Sequence, residues 1–522
     1  MDILNEFIFG EYDPFWRAIK INDSVIKDFE AKNPELLSSL VYVHENFHWL
    51  QLSSSTIGHI ISLIPFFYSK TIINAIQSTY IMNNPIEIKN PLMEQFSDSH
   101  SFEKTMINRD CMFLNLFLDF MLNTNNKEQI MKHGADYNNA LFSVFDIYLQ
   151  NTKERIISLH GKKYYDDLVK ANREFWDKKE NYGFLFIAPN IDLLGFKDLI
   201  ECSARIIEIK YYEDTKNKYK LLNIDKYLEK EIYLFNSQYF QPLSYIKLLF
   251  TDNNIDNIFD FLLICIHISI NPTISPAYTN MYIVNNSLAD IHPGMRFIKI
   301  LGFVKNKYQT IKMALASNDL YNEIINGLKW KNDIDNFKDF KTIYGGLFSQ
   351  FELSEEKGEL VSNIFKGEKV YDIDYLMFKF YKFSKIKSEY HNFFIDMSLY
   401  LTDPDLIQKY IEIDKKVHCP IIFDEKVKKF RVNISGMTFS SPDENGKLSI
   451  VINLKKDANE LIQTEYLNYI ITNLFYELDK QLLYSNNKID LSIVDKFDIG
   501  DDIKKTILEL YKERRKIKTL NV

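Results

Sequence analysis

Cysteine is scarce in this chain: Cys111, Cys202, Cys265 and Cys419 are scattered over 522 residues, too far apart in sequence to suggest a disulfide framework. No C-x-x-C string occurs, and the neighbours in "DCMFLNLF" and "LLICIHISI" are apolar, so buried thiols in a reducing compartment are expected. The sequence also lacks G-x-x-x-x-G-K-[ST] and G-x-G-x-x-G, which leaves nucleotide-dependent chemistry without its phosphate-cradling loops. Positive charge is in short supply, with 63 Lys and Arg against 71 Asp and Glu, a net charge of −8 spread along the chain. A nucleic-acid partner calls for a basic patch. The one locally basic stretch, "KKTILELYKERRKIKTLNV", reads as a solvated helix end whose cations suit a helix C-terminus. The strongest apolar runs, "IGHIISLIPFFY" and "FDFLLICIHISI", fall short of the roughly 18 to 20 residues that span a bilayer. The opening "MDILNEFIFGEYDPF" has neither the positive n-region nor the apolar h-region of a signal peptide. A cytoplasmic protein with no nucleic-acid and no membrane partner is expected.

What the chain does have is apolar mass. Hydrophobic residues make up 46% and aromatics 15%, with 40 Phe and 32 Tyr, enough for a packed interior and too many for a disordered chain. The length exceeds what one core usually serves. A short extended segment is expected over the first 20 residues, where Pro14 interrupts any helix. From Pro34, with Asn33 as cap, the spacing changes to that of a helix. Further helices are expected around 102–123, 138–158, 163–178, 194–212, 225–237 and 256–269, and then from about 296 to a break at "TDPD". After 412 the texture changes again. "CPIIFDE", "KKFRVNISGMTF" and "GKLSIVINL" read as strands, the last two joined by the turn "SPDENGK", and two helices follow. The expected fold is mainly α: a large helical body, a short N-terminal extended segment and a small α+β C-terminal unit. The expected divisions are 1–300, 301–412 and 413–522.

The chemistry-bearing string is "VYVHENFHWLQLSSSTIGH", which contains His44-Glu45-Asn46-Phe47-His48, an H-E-x-x-H. On a helix, residues four apart lie about 40° apart around the axis and about 6 Å apart along it, so His44 and His48 can grip one ion. Glu45 stands on an adjoining face, beside the ion, where it can take a proton from water. The helix is apolar nearly all round, through Val41, Val43, Phe47, Trp49, Leu50 and Leu52, which marks it as buried. Two imidazoles and a carboxylate in so dry an element need partners, because unpaired buried polar groups are costly. A metal satisfies them together.

A catalytic zinc takes a third protein ligand and keeps one position open. His59 lies 11 residues past His48, about 16 Å along a continuing helix, too far for the same ion. "GFKDLIECSARIIEIK" offers Glu201, with Ala204 nearly one turn on to let a second helix come close, and Glu208 two turns along the same face as a reserve. With these residues the chain resembles the gluzincins, zincin-like HExxH metallopeptidases whose third ligand is a glutamate on a following helix. Their glutamate often opens an E-G-x-A string, and Glu201-Cys202-Ser203-Ala204 matches it except for Cys in place of Gly. The H-x-x-Q extension through Gln51 is similar to bacterial proteins of that broad type, with Gln51 as a supporting residue.

The resemblance implies a zinc ion on His44, His48 and Glu201, with metal-assisted hydrolysis of a protein or peptide substrate. Glu45 would take the proton of the attacking water and pass it to the leaving amine. An oxyanion stabiliser is also implied, and Tyr278 in "SPAYTNMY" or His292 and Arg296 in "ADIHPGMRF" are the candidates. The large body beyond these helices leaves room for a regulatory protein partner, and a regulated effector or toxin is one such role. Three other readings carry less. Ferritin-like di-iron chemistry needs a second E-x-x-H, and "SEYH" at 388–391 has the wrong spacing. Cys202, in apolar company, reads as an inert thiol rather than a nucleophile. A catalytically inactive helical scaffold with a structural ion would call for four protein ligands, often cysteines, and no cysteine lies near the motif.

Overall fold

The structure is a computed structural model and describes residues 10–13, 18–21, 24–25, 27, 36–79, 86–88, 101–125, 127–177, 192–219, 238–250, 255–272, 290–315, 319–356, 373–417, 421–424, 429–431, 434–439, 450–455, 460–484, 490, 492, 501–515 and 517–520. The protein is mainly α. Strands β1 (Gly10–Asp13) and β2 (Ala18–Ile21) precede helices α1 (Leu36–Ser54) and α2 (Thr56–Thr79). After strand β3 (Ile86–Ile88) come α3 (Ser101–Leu122), α4 (Lys127–His160), α5 (Lys162–Asp177) and α6 (Phe196–Tyr219). A 3₁₀ turn, Gln238–Phe240, leads into α7 (Gln241–Leu249), followed by α8 (Ile255–Ile270), α9 (Pro293–Lys307), α10 (Ile311–Leu315) and α11 (Leu320–Gly327). Then follow α12 (Asp333–Glu356), α13 (Ile373–Glu389), α14 (His391–Ile395), α15 (Ser398–Thr402) and α16 (Pro404–Val417). The chain continues through β4 (Ile421–Asp424), β5 (Lys429–Arg431), β6 (Ile434–Phe439), β7 (Ile450–Lys455), α17 (Glu460–Tyr484), α18 (Asp501–Arg515) and β8 (Ile517–Leu520).

Strands occur near both ends of the chain and pair across it. β1 and β2 form an antiparallel hairpin, β2 lies parallel to β4, and β4 pairs with β5 to make the sheet order β1-β2-β4-β5. β3 pairs in parallel with β8, and β6 with β7 in an antiparallel ladder. The N-terminal extended segment therefore shares a sheet with strands near residue 420. The break at "TDPD" falls where α15 ends at Thr402 and Pro404 opens α16, since proline suits a first helical position and cannot continue the helix before it. Asn33, Pro34, the helix expected at 225–237 and the "SPDENGK" turn lie outside the described residues.

Two buried helices position the candidate site. α1 packs on α6, with α2, α13 and the β1–β2 hairpin against its other sides, which is why its sequence is apolar nearly all round. Gly58 lets α2 fold back from the end of α1, for a Cβ there would sit 2.0 Å from the Leu52 carbonyl oxygen. Within α2, the 19 residues Thr56–Asn74 are long and apolar enough to cross a membrane, longer than the run visible in the sequence. Of that window 78% is buried inside the protein, as in the core helix of a globular chain. One hydrophobic cluster extends from Val25 to Tyr511.

Candidate metal centre

α1 brings His44 and His48 to its contact with α6, and α6 brings Glu201 and Glu208. His44 Nε2 and His48 Nε2 lie 3.0 Å apart. Glu201 Oε2 is 3.2 Å from His48 Nε2 and 3.5 Å from His44 Nε2. Three ligand atoms around one ion at roughly 2.0–2.1 Å in tetrahedral geometry stand about 3.3 Å from one another, so this triangle has the size such an ion needs. Its chemistry also matches: two imidazoles and one carboxylate, with a fourth direction left over.

Glu208 has a different task. Its Oε2 accepts from His44 Nδ1 at 3.0 Å, and Arg205 Nη1 reaches both of its oxygens at 2.8 Å. With Nδ1 of His44 committed as donor, it is Nε2 that faces the triangle and would become the ligand atom once a bound metal displaces its proton. Gln51 Nε2 donates to Ser203 Oγ at 2.7 Å, which ties α1 to α6 one turn past the ligands. Ala204 is fully buried at this helix contact, as its small size suggested.

The charges follow the geometry. Burial works against a charged His44 ring, yet its hydrogen bonds to Glu201 and Glu208 and the nearby carboxylates raise it to about 10 without a metal. Burial likewise opposes ionisation of Glu201, and the two imidazoles outweigh it, holding that carboxyl far below the usual range. Glu208 is lowered too, against its burial, first by Arg205 and then by His44. Glu45 goes the other way. Burial raises it, only partly offset by the two histidines, and Glu201 and Glu208 add to the rise. It is 6% exposed, and its Oε2 is a buried oxygen with no hydrogen-bond partner among the described residues. A carboxyl raised by burial, with an unpartnered oxygen and both motif histidines among its neighbouring charges, is suited to accept a proton.

The oxyanion candidates fare differently. Tyr278 lies outside the described residues. His292 and Arg296 are described, and the structure assigns them another use. His292 caps α9: its Nδ1 accepts from Gly294 N at 3.2 Å and its Nε2 donates to the Phe120 carbonyl at 2.9 Å. Both ring nitrogens are thus taken, and burial pushes the ring down to about 4, against the pull of the Phe120 carbonyl. Arg296 is fully buried and spends its donors on the carbonyls of Ile268, Asp290 and Asn271, with its guanidinium 3.7 Å over the Trp330 ring. His292 has no donor left for a reacting oxygen, and four of the five Arg296 N–H groups are bonded to backbone. His-Pro-Gly does start a helix, but it faces the ring inward onto backbone.

Among the described residues, Tyr239, on the 3₁₀ turn before α7, meets the centre. Its ring stands edge-on to His44, with centroids 6.3 Å apart, and Arg205 lies 4.9 Å over its face. Burial raises its hydroxyl, and Glu201 adds to that rise more than any other neighbouring charge. In sequence it is one tyrosine of 32, with only the nearby Pro242 to mark a helix start. His59 stacks on Phe380 at 4.4 Å, in the core and off the triangle. The thiols of Cys111, Cys202 and Cys265 are free and buried, and burial pushes all three upward, Cys111 to about 12. Comparison with protein-family models, curated proteins and solved structures finds no match for this chain.

Proposed function

We propose that the chain is a zinc-dependent metallopeptidase that hydrolyses peptide bonds of a protein or peptide substrate. The observation that carries this reading is the triangle of His44 Nε2, His48 Nε2 and Glu201 Oε2, with the unpartnered Glu45 oxygen beside it. A zinc ion held by these three residues supplies Lewis acidity, which polarises a carbonyl and makes water a stronger nucleophile at neutral pH. Glu45 takes the proton of the attacking water and returns it to the leaving amine. Glu208, fixed by Arg205, orients the His44 ring and makes it a better donor. Tyr239 takes the oxyanion-stabilising role in place of His292 and Arg296, because it borders the triangle. The mass of helices around the centre suits restraint by a regulatory partner, as in a regulated effector or toxin.

The test counts zinc by plasma mass spectrometry and measures cleavage of a fluorogenic peptide library. Wild type, His48→Ala and Glu201→Ala are compared. The expected result is one zinc fewer per chain in both variants, and cleavage only in the wild type. Zinc lost with His48 but kept without Glu201 would move the third-ligand role to Glu208. Zinc bound by all three residues with no hydrolysis under any condition would turn the reading to an inactive helical scaffold.

A further inference from the structure

A second group of ligand-type side chains sits elsewhere in the helical body. His267 on α8, Asp333 at the start of α12 and His391 at the start of α14 offer ligand atoms that all lie within 4.8 Å of one another. His267 Nε2 is 2.7 Å and His391 Nδ1 is 3.3 Å from the same oxygen, Asp333 Oδ2. The other oxygen, Oδ1, faces Lys387 Nζ at 3.3 Å. His267, Asp333 and Lys387 are buried, whereas the His391 side chain is 24% exposed.

This arrangement differs from that of a structural histidine in the same protein. His292 has each ring nitrogen bonded to backbone. His391 has one nitrogen crowded onto an oxygen already bonded to another imidazole, and its Nε2 is buried with no hydrogen-bond partner among the described residues. Two imidazoles turned on one carboxylate oxygen is the donor set of a two-histidine, one-carboxylate metal site. Asp333 and His391 also line a cavity of about 590 Å³. The ionic groups on its wall are one ammonium, Lys210, and four carboxylates, those of Asp260, Asp319, Asp333 and Asp396. Such a wall favours a cation over an anion.

We propose that His267, Asp333 and His391 form a second metal site, taking a divalent transition-metal ion whose remaining positions open into this cavity to water or a small oxygen-donor ligand. The site is separate from the His44–His48–Glu201 centre and does not rest on the peptidase reading. One connection to that centre runs through Lys387. Lys387 Nζ donates to the Ser54 carbonyl at 2.9 Å, at the last residue of α1, and to Asn271 Oδ1 at 2.8 Å. The same Asn271 oxygen accepts from Thr56 N, the first residue of α2. Cation binding at Asp333 therefore acts on the ammonium that holds the end of the motif helix.

The experiment is metal counting on the full chain, stripped with chelator and dialysed against Zn²⁺, for the wild type, His48→Ala and His391→Ala. Two ions per chain in the wild type and one in each variant is the expected result. One ion that disappears with His48→Ala and persists in His391→Ala overturns the second site and leaves the first standing. One ion that persists in His48→Ala and disappears in His391→Ala supports the second site while the first fails. No ion in any sample overturns both. A zinc-edge anomalous map from wild-type crystals reads the position without a substitution, should His391→Ala not fold: a peak between His267, Asp333 and His391 is expected, and its absence sinks the inference.

Discussion

The motif centre and the corner around His292 and Arg296 are both buried and both assembled from histidine and ionic side chains, but their polar atoms end in different places. At the corner the polar atoms are turned onto backbone: His292 donates to Phe120 and accepts from Gly294, and four of the five Arg296 N–H groups go to three carbonyls. At the centre, ligand atoms converge on one point and an acidic oxygen is left over. A conspicuous string such as His-Pro-Gly therefore says only that the residues matter. Whether they matter for packing or for chemistry depends on what remains unspent once the backbone has been satisfied.

That contrast can be broken most sharply at Glu45. Glu45→Gln is expected to lower kcat/KM by about 10²–10⁴-fold, the range for loss of a general base, with zinc content unchanged. Retained turnover would remove Glu45 from the mechanism. Tyr239→Phe comes next, with a loss of about 10²–10³ in kcat if its hydroxyl stabilises the oxyanion. An effect confined to KM would reduce Tyr239 to a packing neighbour of His44.

The corner answers in stability instead. Arg296→Ala removes the side-chain donor from the carbonyls of Ile268, Asp290 and Asn271 and strips Trp330 of its cation, so a loss of about 3 kcal/mol is expected by denaturant titration. Zinc content and, for the folded fraction, kcat stay at wild-type values. A variant that is stable but inactive would return Arg296 to the mechanism. His292 predicts a pH dependence of similar size. Burial holds its ring at about 4, below the 6.5 of the unfolded chain. The unfolded state thus takes up a proton that the folded state refuses, and the ring's contribution is complete above pH 6.5. It is lost as pH falls from 6.5 to 4, by about 3 kcal/mol. Stability measured between pH 7 and 4 should decline less steeply in His292→Asn, and an equal slope would assign the loss to other groups. The smallest effect belongs to Glu208→Ala, expected to weaken zinc by about 10–100-fold in a chelator competition. An unchanged affinity would mean that the His44 ring needs no second partner.

The periodicity of the sequence was sufficient for much of the helical body. α1, α3, α5 and α8 lie within a few residues of where apolar spacing puts them, because a buried helix writes its face into its own sequence, and α6 starts as expected but runs on to Tyr219, past the expected end at 212. α4 begins earlier than expected, at Lys127, where its first turns are polar and the apolar signal fades. Over residues 421–455 the sequence reads as three strands, where the described residues hold four, the middle one being split into β5 and β6. Their partners were not legible, since the parallel pairing of β2 with β4 joins segments some four hundred residues apart, and no local pattern encodes a pairing at that range.

The same division runs through the centre. His44, Glu45 and His48 share one helix, so its pitch alone sets two imidazoles on one side and the carboxylate beside them. Glu201 and Glu208 are two turns apart on a single face and equivalent to any periodic reading. Only the packing of α6 on α1 gives Glu201 to the Nε2 atoms and Glu208 to Nδ1, across separations of 153 and 164 residues. Tyr239 and the His267–Asp333–His391 group were silent in sequence for the same reason. A helix repeats every 3.6 residues and so determines its own neighbours, whereas contacts between distant segments are decided by how whole faces pack, which the sequence specifies only through the finished fold.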